Sequence, residues 1–140
     1  MRIFLDANVL FSAAQSAGAV RALLERAEAA GHALCADTYA AAEARRNLQW
    51  KAPETIAVLT ALLARIELAG FEASPVPAEV ATVLPAKDQP VLAAAIRLHC
   101  HVLVTGDRTH FGPLYGRVVK GVAVHSPRSL AAVLGFIPAA

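Results

Sequence analysis

The chain has 140 residues, 56% of them apolar and 17% charged. That balance excludes intrinsic disorder and fits one domain with room for a sizeable core. A net charge of +2 permits an acidic partner but is too small for a strongly basic nucleic-acid binder.

The predicted elements alternate along the chain. Residues 2–5 form a short apolar run that stops at Asp6 and reads as a buried strand. Helical sequence follows over residues 9–30, broken near Ala17-Gly18 and stopped by Gly31-His32. Residues 33–36 are a second strand, and Asp37 or Thr38 caps a helix that reaches Trp50-Lys51. Pro53 starts a helix predicted over residues 54–69, which Gly70 ends. Residues 71–76 read as a short strand with an irregular, proline-bearing end, and residues 78–84 as a short helix. Lys87-Asp88-Gln89-Pro90 leads into an apolar helix over residues 91–99. The strand at 102–104 runs into Thr105-Gly106 and stops at Asp107, and residues 108–114 form a short helix or turn. Residues 117–125 contain a last strand with Gly121 inside it, and Ser126-Pro127 opens a final helix to Leu134. Strands separated by helices predict an α/β fold, with a mostly parallel central sheet between two helical layers.

Cys35 and Cys100 lie in apolar surroundings and read as reduced, buried thiols. The apolar stretch before Asp6 is too short for a signal peptide, and no uncharged run reaches membrane-spanning length. The expectation is a soluble, cytoplasmic protein without a membrane partner. The apolar surplus points to a dimer face or a docking site for another protein.

Two strands that end in aspartate carry the functional reading. Ligands of open α/β sheets bind beyond the carboxyl ends of the strands, so Asp6 and Asp107 are expected in one cleft. Most of the other acids have ordinary settings. Glu25 and Glu28 share a helix with Arg21 and Arg26, Glu54 lies in a first turn, and Asp37 reads as a cap. Glu43, alone in an alanine-rich helix, and Asp88, ahead of an apolar helix, are two further candidates. For Glu43 the alternative is a solvent-facing acid, and for Asp88 a helix cap. Clustered carboxylates need compensation, which hard divalent cations with oxygen ligands supply. Such ions suit phosphodiester chemistry.

At these residues the chain resembles the PIN-domain family. Leu5-Asp6-Ala7-Asn8-Val9-Leu10 looks like its first motif, and the stretch from Asp88 through Val91-Leu92-Ala93-Ala94-Ala95 to Leu103-Val104-Thr105-Gly106-Asp107 resembles its later acidic motifs. The likeness runs on to Val124-His125-Ser126-Pro127, and the subgroup it looks like is the VapC-type toxin of bacterial toxin–antitoxin pairs. The resemblance implies a three-layer α/β/α sandwich and a Mg²⁺- or Mn²⁺-dependent endoribonuclease. A metal-activated water would cleave RNA in line, leaving a 5′-phosphate and a 3′-hydroxyl. It implies that Asp6, Glu43, Asp88 and Asp107 form the catalytic metal site, with Asn8 and Thr105 orienting the ligands. It also implies a cognate antitoxin and a homodimer. This chain has His110 in a stretch where relatives often carry an acid.

Arg46 and Asn47 follow Glu43 by three and four residues and so share its face. With Arg108 and His110 they are candidate RNA contacts, against solvated-face and surface-turn readings. Trp50, one turn further along, is read as core, against an RNA-stacking surface or a partner-docking residue. His99-Cys100-His101 makes a poor zinc site, because neighbours at a helix end point apart and no second ligand pair has the right spacing. Two other function classes stay open. A haloacid-dehalogenase-like phosphatase would use Asp6 as nucleophile, although Asn8 stands where that family wants a second Asp. A non-catalytic PIN fold would only bind RNA or an antitoxin.

Overall fold

In the computed structural model, which describes residues 1–139, six strands make one sheet. They are β1 (Arg2–Leu5), β2 (Ala33–Asp37), β3 (Glu67–Ala69), β4 (Val102–Val104), β5 (Val118–Val119) and β6 (Val122–His125). The order is β3-β2-β1-β4-β6-β5, and every pair is parallel except the β5–β6 hairpin. The helices are α1 (Ala7–Gln15), α2 (Ala19–Ala29), α3 (Thr38–Lys51), α4 (Ile56–Arg65), α5 (Ala78–Ala81), α6 (Gln89–Arg97), α7 (Arg108–Phe111) and α8 (Pro127–Val133).

Alternation along the strands divides the core between two faces. Ile3, Leu5, Leu34, Ala36, Val102 and Val104 meet Leu10, Leu24, Leu48, Leu59 and Leu130 on one side. Phe4, Cys35, Leu103 and Val124 meet Leu92 and Phe111 on the other. This is the expected α/β/α sandwich. Because β2 and β4 flank β1 on opposite sides, strand order reverses there. Leu5 of β1 stands opposite Val104 of β4, so the carboxyl ends of these two strands adjoin at the reversal.

Four expectations are corrected. The helix predicted over 54–69 ends at Arg65, and Glu67–Ala69 is an edge strand paired with β2 from Cys35↔Glu67 to Asp37↔Ala69. Pairing to the open edge of β2, reinforced by the Arg2–Glu67 ion pair, overrides local helix preference. Residues 71–76 form no strand, since Pro75 and Pro77 cannot donate to a ladder. The strand predicted over 117–125 splits into a hairpin, turned at Lys120 and Gly121 with φ of +49° and +83°. Trp50 is not core but 86% exposed. The buried stripe of α3 is Ala40, Ala41, Ala44 and Leu48, and Trp50 falls on the opposite face. Cys35 and Cys100 are buried free thiols. No helix among the described residues is long and apolar enough to cross a membrane.

Candidate metal centre

Asp6 leaves β1 in register with β4, its backbone N–H donating to the Val104 carbonyl at 3.1 Å. It then caps α1, Oδ1 accepting from the Ala7 N–H at 2.7 Å. Its other oxygen, Oδ2, accepts from the Thr105 hydroxyl at 2.8 Å and from Asn8 Nδ2 at 3.2 Å. The residue is only 4% exposed. Burial pushes its pKa up to about 6; hydrogen bonds from Thr105 and Ala7 oppose the rise, while the charges of Glu43 and Asp88 add to it.

Asn8 and Thr105 splice the two strand ends together. Asn8 Nδ2 also reaches Thr105 Oγ1 at 3.3 Å, and Asn8 Oδ1 accepts from the Gly106 N–H at 2.7 Å. The Thr105 hydroxyl, fully buried, accepts in turn from the Asp107 N–H at 3.1 Å. A Cβ on Gly106 would stand 3.3 Å from Asn8 Oδ1, so the close approach suits glycine.

Asp107 caps α7 by accepting from the His110 N–H at 3.1 Å. His110 Nδ1 lies 2.9 Å from Asp107 Oδ2 and 3.0 Å from Asp88 Oδ2. A single ring N–H directed at Asp107 cannot also serve Asp88, and Asp88 Oδ2 is buried without a hydrogen bond. Asp88 occupies the N-cap position of α6, yet its side chain caps nothing. The capping reading is therefore replaced by one in which its carboxylate faces Asp107 and His110. Burial raises its pKa and so does the charge of Asp107, against His110 and Lys87.

Glu43 comes from α3, which packs across α1. Half-buried, it lines a small pocket with Asn8, Phe11, Asn47 and Lys51, and its charge reaches Asp6. Arg46 and Arg108 are both exposed near this cleft, Arg46 close enough to act on the Tyr39 phenol and Arg108 opening α7 beside Asp107.

Two contributors escaped the sequence reading. The Tyr39 hydroxyl donates to the Lys87 carbonyl at 2.9 Å while its ring stacks on Phe71 at 5.4 Å, tying α3 to the Asp88 loop. The Tyr115 hydroxyl donates to the Thr105 carbonyl at 2.7 Å. The only signal for Tyr39 was its place one turn before Glu43. In the run His99-Cys100-His101, Cys100 is buried and His101 Nδ1 accepts from the Arg2 N–H. Among the described residues, the one group of three metal-ligating side chains with donor atoms within 4.8 Å of one another is Asp88, Asp107 and His110.

The arrangement fits a divalent cation. Asp88 and Asp107 meet at His110, the charges of Glu43 and Asp88 reach Asp6, one buried carboxylate oxygen of the cluster lacks a partner, and the pKa values of Asp6 and Asp88 are raised. A bound cation would relieve all of these conditions.

No protein-family model matches the chain, and no curated protein matches it. Solved structures do. A chain of the DNA-bound VapBC complex of Salmonella typhimurium aligns with a TM-score of 0.65 at 19% identity, over 91% of this chain and 98% of that one. A chain of VapBC2 from Rickettsia felis, bound to a DNA fragment from its promoter, aligns at 0.64 and 15%, over 90% and 98%. VapC20 of Mycobacterium tuberculosis, a sarcin-ricin loop cleaving toxin, aligns at 0.58 and 9%, over 79% and 94%. The shared feature is the fold: this chain has the PIN-like α/β/α architecture of VapC proteins.

Proposed function

We propose that the chain is a Mg²⁺- or Mn²⁺-dependent endoribonuclease of the VapC type, a single PIN-like domain acting in the cytoplasm. What supports this reading is the meeting of Asp88 and Asp107 at His110, with the charges of Glu43 and Asp88 reaching Asp6 at the strand reversal and Asp88 Oδ2 buried and unpartnered. Asp6 and Asp107 would hold the ion, with Asp88 and Glu43 completing the set directly or through water. When bound, the cation supplies Lewis acidity and neutralises charge at a phosphodiester.

The protein's own residues orient and select. Asn8 and Thr105 fix the Asp6 carboxylate, and Asp6 would stay ionised beside a cation despite its burial. Arg46, Asn47 and Arg108 flank the cleft, and would contact RNA phosphates without reading sequence. Because VapBC relatives are toxin–antitoxin complexes, a cognate antitoxin that covers the cleft is part of the proposal, as is a homodimer. Asn8 acts as a prop for Asp6, which leaves a phosphatase without its second acid.

The test is cleavage of a mixed RNA pool in Mg²⁺ or Mn²⁺, in EDTA, and by Asp6→Asn. Cleavage that needs the metal and fails in the variant supports the reading. An inert protein that still binds RNA or an antitoxin would replace it with the non-catalytic PIN fold.

A further inference from the structure

His110 is the residue whose position the sequence reading explains least. It was a candidate RNA contact, yet its ring nitrogen points into the acids. Nδ1 stands 2.9 Å from Asp107 Oδ2 and 3.0 Å from Asp88 Oδ2. Two ligands at right angles on an ion about 2.1 Å from each are about 3.0 Å apart. Both separations therefore match edges of an octahedral coordination shell, and all three donor atoms lie within 4.8 Å of one another.

A second observation concerns what lies between these atoms. The Nδ1–H is directed at Asp107 Oδ2, and Asp88 Oδ2 is left buried with no hydrogen bond. With the ring proton on Nε2 instead of Nδ1, a cation placed among the three would occupy the lone pairs of both oxygens and of Nδ1 at once. Local structure preorganises the donors. Asp107 fixes the start of α7, so His110, three residues on, returns its ring to the same carboxylate. The Tyr39–Lys87 hydrogen bond holds the Asp88 loop in place opposite.

Resting on the metal reading of this site, we propose that His110 is itself a metal ligand, and that its nitrogen makes the site select a first-row transition ion over Mg²⁺. An all-carboxylate set suits Mg²⁺, which dehydrates reluctantly and favours oxygen. Imidazole adds affinity for transition ions and little for Mg²⁺. The neutral nitrogen also replaces what would be one more negative charge in an already crowded cluster. Asp88 and Asp107 supply the anionic oxygens beside His110, within the acid set that includes Asp6, and the role of His110 moves from RNA contact to ion selection.

The experiment uses the full chain, stripped of metal with EDTA and titrated with Mn²⁺ alone, Mg²⁺ being read by competition. Wild type, His110→Asp and Asp88→Asn are compared, with pulsed electron paramagnetic resonance of the bound Mn²⁺ reporting directly coordinated imidazole nitrogen. The proposal expects nitrogen coupling in the wild type, its loss in His110→Asp, and a fall of about tenfold or more in the Mn²⁺-over-Mg²⁺ preference of that variant. Mn²⁺ binding that Asp88→Asn weakens, but that shows no imidazole coupling in the wild type, would overturn the role of His110 and leave the metal site standing. Absence of any Mn²⁺ binding sensitive to Asp88→Asn would overturn both. The nitrogen signal is read on the wild-type protein, so the inference stays testable even if a variant folds poorly.

Discussion

The Thr105 hydroxyl donates to the Asp6 carboxylate at 2.8 Å, joining the ends of two adjacent strands that lie 99 residues apart in sequence. The same oxygen accepts from the Asp107 N–H, so one hydroxyl sets the positions of two of the acids. Thr105→Val keeps the shape and removes both bonds, and the one from Asn8 Nδ2, in a fully buried site. It is expected to cost about 1–3 kcal/mol in denaturant unfolding and to lower metal affinity. Thr105→Ser keeps the hydroxyl and should retain metal affinity while losing only the packing of one methyl. Equal metal affinity in the valine and serine variants would contradict this.

Burial raises the Asp6 pKa from 3.8 to about 6. The folded chain then holds its proton more tightly than the unfolded chain, so metal-free stability falls as pH rises from about 4 to about 6 and levels off above. A difference of this size corresponds to about 3 kcal/mol at most. Asp88, also raised, acts in the same direction. Unfolding free energies of metal-free protein across pH 4–7 should show this decline, and Asp6→Asn should flatten it. Saturating metal should restore stability most at the upper end of the window. A metal-free protein that gains stability over that range would refute the assignment.

What the sequence made legible follows from where local and global preferences agree. The runs ending at Leu5 and Val104 are apolar and bounded by polar turn residues, and both lie in the middle of the sheet. Glu67-Leu68-Ala69 carries no such mark. It is a strand only because the edge of β2 is open and Arg2 engages Glu67, facts of tertiary structure. Asp6 and Asp107 were found from strand ends alone. Glu43 and Asp88 were left as candidates by sorting the acids, and only the resemblance gave them a role, since an acid in a run of alanine looks the same whether it faces solvent or a cleft. The propping tyrosines were invisible because their partners are backbone carbonyls far along the chain. Trp50 was misplaced because α3 buries mostly alanine, which marks its inner face weakly.

Tyr39→Phe removes the hydroxyl that binds the Lys87 carbonyl and keeps the ring on Phe71. It should cost about 0.5–1.5 kcal/mol of stability. Because that bond holds the Asp88 loop to α3, metal affinity measured by calorimetry should fall as well. A loss of stability with unchanged affinity would reduce Tyr39 to a structural strut.

Arg46 and Lys51 are exposed beside Glu43. As phosphate contacts, each replaced by Ala should weaken binding to every RNA tested by a similar factor. Each should also reduce the steepness of the log K against log salt plot by about 0.7 for single-stranded RNA. Filter binding across a salt series in the Asp6→Asn background measures this without cleavage. An unchanged slope in both variants would remove α3 from the RNA path.

The identity of the product ends tests the central claim most directly. A short RNA that the protein cuts is incubated with Mn²⁺ or Mg²⁺, and the new termini are resolved by mass spectrometry. Water attack at a metal centre formed by Asp6, Glu43, Asp88 and Asp107 predicts a 5′-phosphate and a 3′-hydroxyl, with both products absent in EDTA. A 2′,3′-cyclic phosphate, or cleavage that persists in EDTA, would contradict it.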